Sequence, residues 1–142
     1  MFHKIILVGN LGKDPEMRYT PTGQAVTSLN VATNRQYTGS DGQMVKETIW
    51  FRVSVWGKAA EASNQYLKKG RSVLVEGRLT PDKNTGGPRT FTRQDGSVGS
   101  SFEVSASEVK FLGGRGEGGA AGELGGDDQF SSVPAAEEDI PF

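Results

Sequence analysis

The chain has 142 residues and a formal net charge of −1; 35% of its residues are hydrophobic and 23% charged, with one His and no Cys. This length suits one domain with a tail, and the lack of Cys excludes a disulfide framework, a thiol nucleophile and a Cys-based zinc site. No apolar run approaches the roughly 20 residues of a membrane span, and no secretory signal precedes the first strand, so we expect a soluble, intracellular protein.

Alternating apolar and polar residues predict strands along most of the body of the chain. The first three predictions cover residues 4–9, which are rich in Ile and Val, residues 25–33 and residues 48–56. Residues 39–42 have turn chemistry, so we expect the second and third strands to form a long hairpin.

One helix is predicted after the third strand. Residues 58–69 contain good helix formers and end in two lysines, and Gly70 stands where a left-handed cap is needed. A fourth strand is predicted over residues 72–79, where Val73 and Val75 share one face.

The last predicted strand begins near Phe102 and changes phase before it ends. Its first part alternates regularly, whereas Val109 and Phe111 continue out of phase, which predicts a bulge. Between the last two strands lies a long excursion rich in Gly. Within it, Asp95 and Gly96 are typical of a turn that closes a hairpin arm on residues 89–93.

Five strands with one helix between the third and fourth have the element order of an OB-fold. This fold is a partly open Greek-key barrel that binds oligonucleotides on the face of its second and third strands, although other small barrels share the order. We therefore predict an all-β protein, a five-stranded OB-fold barrel followed by a disordered acidic C-terminal tail.

Two tryptophans share one face of the third predicted strand. Ile49, Phe51, Val53 and Val55 are expected to face the core, which leaves the opposite face to Trp50, Arg52, Ser54 and Trp56. Two indoles around a guanidinium form a platform on which bases of any sequence can stack. The alternative is that a loop or another subunit covers both rings.

Other aromatic and basic residues are weaker candidates for nucleic-acid contacts. Tyr37 lies beside Arg35, and Phe91 lies between two arginines in the excursion, but each ring also suits ordinary packing. Four further basic side chains are candidate phosphate contacts, although each alone also suits a solvated surface: Arg18, Lys58, Lys69 and Lys83.

Charge divides the chain into a basic body and an acidic tail. All 16 Lys and Arg lie in residues 1–115 against 10 acids, a net charge of +6, whereas residues 116–142 carry seven acids and no base. Such a split is typical of proteins with nucleic-acid or charged partners, and the alternative is a solvated surface with a solubilising tail. We predict a domain over residues 1–112, a disordered Gly-rich linker over 113–136 and a protein-docking tip over 137–142.

Several blocks of the sequence resemble bacterial single-stranded DNA-binding proteins. The similar blocks are residues 6–16 (ILVGNLGKDPE), 50–58 (WFRVSVWGK), 66–70 (YLKKG), 75–79 (VEGRL) and 139–142 (DIPF). The resemblance spans about residues 1–112 and the last few residues. It implies a homotetramer of OB-fold domains in the bacterial cytoplasm, associated with the nucleoid, that wraps single-stranded DNA during replication, recombination and repair.

The resemblance also implies roles for individual residues. Tyr37, Trp50 and Trp56 fall where this family stacks bases, and Arg52 and Lys58 fall among its basic contacts. The family's docking tip, which recruits replication and repair proteins, matches Asp139, Ile140, Pro141 and Phe142. This chain departs from the pattern near Lys83, where familiar members carry an aromatic, and Phe91 is a candidate substitute.

Three other functions are alternatives to DNA binding. RNA binding is an alternative function of the barrel, because a stacking platform binds single-stranded RNA as well as DNA. A protein-only module would bury both tryptophans in an oligomer interface. An enzyme is disfavoured, because the nearest carboxylate pair, Asp14 and Glu16, flanks a proline, and no phosphate-binding loop is present. We expect no catalytic residue, no metal, no cofactor and no membrane partner.

Overall fold

The computed structural model describes residues 1–113, in which it places seven strands and one helix. In chain order the elements are β1 (Ile5–Leu11), β2 (Glu16–Tyr19), β3 (Ala25–Thr38), β4 (Met44–Trp56), α1 (Lys58–Tyr66), β5 (Ser72–Thr80), β6 (Arg89–Thr92) and β7 (Val98–Leu112). The tail predictions, for residues 113–136 and 137–142, lie outside the described residues, apart from residue 113.

The five long strands close into a barrel in the order β1, β5, β7, β4 and β3. The barrel closes where the end of β1 pairs with β3, at Leu11 and Val31. β4 and β7 run parallel, whereas the other pairs within the barrel are antiparallel. The predicted fold class, an OB-fold barrel with one helix between its third and fourth strands, is therefore confirmed.

The core of the barrel consists mainly of β-branched and leucine side chains from the inner faces of the five strands. The fully buried members include Leu29, Val31, Val53, Val55, Val73, Val75 and Val104. The prediction that Ile49 also belongs to the core is wrong, since Ile49 is exposed. β4 pairs with β7 only from Phe51 onward, so the earlier part of β4 extends beyond the barrel wall.

The helix ends earlier than the sequence predicts. α1 stops at Tyr66, and Leu67 already has an extended backbone. The residues that follow form hydrogen bonds with the segment at the end of β1 instead of continuing the helix. The backbone N–H of Lys69 donates to Asp14 Oδ1 at 2.8 Å, and that of Gly70 donates to the Leu11 carbonyl at 2.8 Å. Gly70 has the predicted positive φ of 87°, but it lies in a turn after the helix rather than at its cap.

The predicted bulge in the last strand is confirmed. Glu76 pairs with Glu108 and Gly77 with Ala106, so Ser107 is the extra residue on β7. Its hydroxyl donates to the Glu76 carbonyl at 3.0 Å. At the bulge the strands are so close that a Cβ on Gly77 would collide with the backbone oxygen of Ser105.

Two short strands lie outside the barrel. β6 pairs with the start of β7 to form the predicted hairpin arm, and Ser97 donates to Asp95 Oδ1 from both its hydroxyl and its backbone N–H in the turn. β2 pairs with the edge of β3 and was not predicted, because a four-residue strand after Pro15 is too short for a periodic signal.

Candidate nucleic-acid interface

The outer face of β4 presents the predicted row of Trp50, Arg52, Ser54 and Trp56, which we call the β4 stripe. Trp50 is 54% exposed and Trp56 42%, while the neighbouring Phe51, Val53 and Val55 are buried. Same-face residues of a strand lie about 7 Å apart. Both indoles are therefore open to solvent within this chain. The flat ring of a ligand could stack on either indole.

The position of Trp50 depends on a glycine in the loop between β1 and β2. The indole lies so close to Gly12 that a Cβ there would collide with two of its ring atoms. Trp50 also lies beside Ala32 on β3, whose small side chain leaves room for the ring. The ring is thus supported on one side by the barrel surface and exposed on the other.

Basic residues lie beside the stripe on neighbouring strands. Arg18 on β2 shares a register row with Val26 on β3 and Trp56 on β4, so Arg18 and Trp56 face the same way. Arg52 is exposed and has no carboxylate within 4.0 Å among residues 1–113. These two guanidinium groups leave positive charge beside both indoles.

Glu16, the acidic residue two positions before Arg18 on β2, is already paired. The Lys13 ammonium donates to its carboxylate at 2.8 Å. This hydrogen bond and the charge of Lys13 lower the pKa of Glu16, and the more distant Arg52 lowers it further. The carboxylate therefore stays ionised and is partly neutralised by Lys13.

Arg35 and Tyr37 come together, but on the other face of the hairpin formed by β3 and β4. The Arg35 guanidinium lies 4.9 Å from the centre of the Tyr37 ring. Both contact Glu47 on β4, the guanidinium at 3.9 Å and the phenol through a 3.1 Å hydrogen bond. The register places this cluster on the face that continues into Phe51, away from Trp50.

Phe91 lies on β6, in a row that continues the outer face of β7. Its ring packs on Gly99, and the Arg93 guanidinium lies 5.6 Å from the ring centre. Gly99 is on the same side of β7 as Glu103, which is the register partner of Arg52. The arm therefore presents Phe91, which is 45% exposed, on the same side of the sheet as the β4 stripe.

The three candidate lysines are exposed at separate places. Lys58 opens α1, two residues after Trp56, whereas Lys69 lies in the turn after the helix and Lys83 in the loop before β6. Within residues 1–113, no ion pair or side-chain hydrogen bond joins Lys69 or Lys83 to the stripe. Lys58 thus lies close to the end of the stripe, whereas Lys69 and Lys83 lie on other segments.

Beside Trp56 lies a groove of about 540 Å³ that the sequence did not suggest. It crosses from β4 over β7 to β5, and Arg78 and His3 line its far side. The sequence analysis did not single out Arg78, because only the barrel topology places β5 two strands from β4. Within residues 1–113, no cluster of three His, Asp or Glu could hold a metal ion, and no helix has the length and apolarity to cross a membrane.

Comparison with known proteins agrees with this geometry. The model of the single-strand binding protein family matches residues 2–112. The single-stranded DNA-binding protein of Neisseria meningitidis serogroup A is 42% identical over 125 residues, which cover 87% of this chain and 68% of that protein. The protein of the same name from Xanthomonas axonopodis pv. citri is 45% identical over 116 residues, which cover 82% of this chain but only 61% of the relative.

Two solved structures share the fold. A deletion mutant of the single-stranded DNA binding protein from Thermus aquaticus is 32% identical, with a TM-score of 0.61 over 79% of this chain and 51% of that one. The Plasmodium falciparum protein in a complex with single-stranded DNA is 24% identical, with a TM-score of 0.65 over 80% of this chain and 97% of that one. At that identity the second likeness shows the fold alone.

The contacts of Glu47 predict a change in the titration of Tyr37. The hydrogen bond to Glu47 and the negative charge of Glu47 raise the pKa of Tyr37 above its ordinary value of 10.0, although Arg35 opposes them. Because the bond needs the phenol proton, it is lost as the pH rises through this pKa. Glu47→Gln should therefore lower the pKa of Tyr37, measured from its ring signals by NMR.

The control for this titration is Glu61→Gln, which removes one exposed acid from α1 without touching the cluster. A Tyr37 titration that is identical in the wild type and in Glu47→Gln would contradict the contact.

Proposed function

Because the chain belongs to the single-strand binding protein family, whose model matches residues 2–112, we propose that it binds single-stranded DNA on the β4 stripe. The observation that carries this proposal is the exposure of Trp50 and Trp56 on one face of one strand. The function is binding rather than catalysis. Its effect follows from mass action, because a coated strand is held open and shielded from re-pairing and nucleases.

Stacking and phosphate contacts both supply affinity in this proposal. Every base has a flat π-face, and stacking on an aromatic side chain contributes about 1–3 kcal/mol per base. Arg52, Arg18 and Lys58 bind the phosphates, which carry no sequence information. Binding is therefore tolerant of sequence. Phe91 extends the platform along the arm, while Tyr37 and Arg35 bind DNA that passes around the edge of the hairpin.

Lys69 and Lys83 are proposed as phosphate contacts at a distance from the β4 stripe. Since the structure does not join them to the stripe, they would act only if the strand continues around the domain. In this role the chain protects single strands during replication, recombination and repair, at the nucleoid in a bacterial cytoplasm.

We also propose that the chain forms a homotetramer. Ile6 and Val8 point outward from β1 and are 61% and 58% exposed, although both are apolar. Leu74 on β5 lies beside Val8 in the register and is half-buried. An apolar row of this kind is typical of a contact with another subunit. A second copy of the chain is its proposed partner.

The last six residues are proposed to recruit replication and repair proteins. The segment combines Glu137, Glu138 and Asp139 with two apolar side chains at the end of the printed sequence, Ile140 and Phe142, with Pro141 between them. A tail that only increases solubility has no need for Ile and Phe in this place. A docking peptide uses the acids for a basic rim and the apolar pair for a pocket.

Replacing either tryptophan of the stripe should weaken DNA binding. Trp50→Ala and Trp56→Ala should each reduce the affinity for oligo-dT by about 1–3 kcal/mol, with little change in the slope of affinity against salt. Arg52→Ala should reduce that slope by about 0.7, the value of one phosphate contact in single strands. Fluorescence anisotropy of a labelled oligo-dT at several salt concentrations measures both quantities.

The matched control is Tyr66→Ala, which removes an exposed aromatic that packs against Phe111 instead of lying on the stripe. Affinities that fall equally in the tryptophan variants and in this control would contradict the proposal. A parallel titration with oligo-U at matched salt separates DNA binding from RNA binding.

Val8→Lys should reduce the size of the assembly, because it places a charge in the proposed subunit contact. Light scattering after size-exclusion chromatography should then give a mass below four chains of 15.2 kDa each. The control is Val98→Lys on the arm, where the valine is also exposed. If both variants keep the mass of the wild type, Val8 does not lie in a contact between subunits.

Deleting residues 116–142 should tighten binding to oligo-dT at low salt, because seven acids that compete with phosphate are removed. The difference should disappear at high salt, where charges are screened. Changing the three acids of residues 137–139 to amides keeps the length of the tail and tests the charge of the tip alone. Equal affinity of the deleted and full chains at low salt would argue against competition by the tail.

A further inference from the structure

The groove beside Trp56 has one aromatic wall and one cationic wall. Trp56 stands on the β4 side, and Arg78 stands on the β5 side together with His3, which precedes β1. The floor between them carries the small hydroxyl side chains Ser54 and Ser105. Small residues on the floor give the groove its depth, because larger side chains there would fill it.

The barrel register fixes the distance between the two walls. Ser54 on β4 pairs with Ser105 on β7, which pairs in turn with Arg78 on β5. Two strand spacings place the Cα of Arg78 about 10 Å from that of Ser54. The guanidinium on its long side chain can therefore reach a ligand that also contacts Trp56.

Arg78 has a charge that no carboxylate of the described chain neutralises. Among residues 1–113, no acidic oxygen lies within 4.0 Å of its guanidinium. Glu76, which faces the same way two residues earlier on β5, is paired with Lys4. The carboxylate that lines the groove belongs to Glu103, and it is paired with Arg89 at 3.5 Å.

His3 adds a hydrogen-bonding group to the side of the groove that carries Arg78. Its Nε2 accepts the backbone N–H of Leu79 at 3.1 Å. A nitrogen that accepts this bond carries no proton, so the neutral imidazole carries its proton on Nδ1. The bond also holds the N-terminal segment against β5, where it forms the rim of the groove.

We infer that this groove is a nucleotide subsite, in which Arg78 binds the phosphodiester next to a base that is stacked on Trp56. The inference rests on the proposed function and extends it. An aromatic wall suits the base, and a guanidinium without a carboxylate partner suits the phosphate, to which it can donate two parallel hydrogen bonds. The DNA then leaves the β4 stripe at Trp56 and crosses β7 toward β5.

The test compares Arg78→Ala with Arg78→Lys and with the control Lys110→Ala. Lys110 is an exposed base beyond the bulge of β7, so its loss changes the net charge equally but leaves the groove intact. Binding of a labelled oligo-dT to the full chain is measured by fluorescence anisotropy over a range of salt concentrations. All three substitutions are on exposed side chains, and circular dichroism checks the fold.

Arg78→Ala should weaken binding at low salt by about five- to tenfold and reduce the salt slope by about 0.7, as expected for one lost phosphate contact. Arg78→Lys should keep the slope but not the full affinity, since an ammonium cannot donate in the bidentate geometry. Combined with Trp56→Ala, Arg78→Ala should weaken binding by less than the product of the two single effects, because both side chains hold one nucleotide.

The outcomes separate this inference from the proposed function. If Arg78→Ala behaves like Lys110→Ala while Trp50→Ala still weakens binding, the groove is not a subsite and the proposed function stands. If neither tryptophan variant binds more weakly, the proposed function itself fails. NMR of the Arg78 side-chain Nε–H signal tests the ligand directly: a shift with a synthetic peptide of residues 137–142 but not with a short oligo-dT would overturn the inference.

Discussion

The two-residue period of β4 is the constraint on which the rest of the structure depends. One set of alternate residues, Phe51, Val53 and Val55, is buried in the barrel, so the intervening set must face outward. A slip of one residue in the register would bury Trp50 and Trp56 and expose the valines. The free energy of core burial therefore holds the indoles on the surface, although exposing two large rings to water is unfavourable by itself.

Around the stripe, the acidic side chains are paired with bases, whereas several arginines have no acidic partner among the described residues. Near the outer face and the hairpin, several carboxylates are each paired with a base, whereas Arg52, Arg18 and Arg78 have no such partner among the described residues. The excess of positive charge is thus a local property of the surface as well as of the sequence. The paired acids and their bases are Glu16 with Lys13, Glu47 with Arg35, and Glu103 with Arg89.

Local patterns predicted most of the fold and part of the candidate site. The hairpin of β3 and β4, the bulge in β7 and the arm at Asp95 were each predicted from a pattern of residues that are close in sequence, so short-range signals were sufficient. The errors have long-range causes. Ile49 alternates like a core residue but lies beyond the barrel wall, and α1 ends early because Lys69 and Gly70 bind the segment around β1 instead.

From the sequence alone it was possible to determine which side chains have the chemistry to bind single-stranded DNA, and that two indoles share one face of a strand. Only the tertiary structure decided which of them lie together. Tyr37 and Arg35 are on the opposite face of the hairpin from Trp50, whereas Arg78, 22 positions after Trp56, lines the same groove. The physical reason is that barrel closure sets the neighbours of each strand through hydrogen bonds between distant segments, which no local pattern encodes.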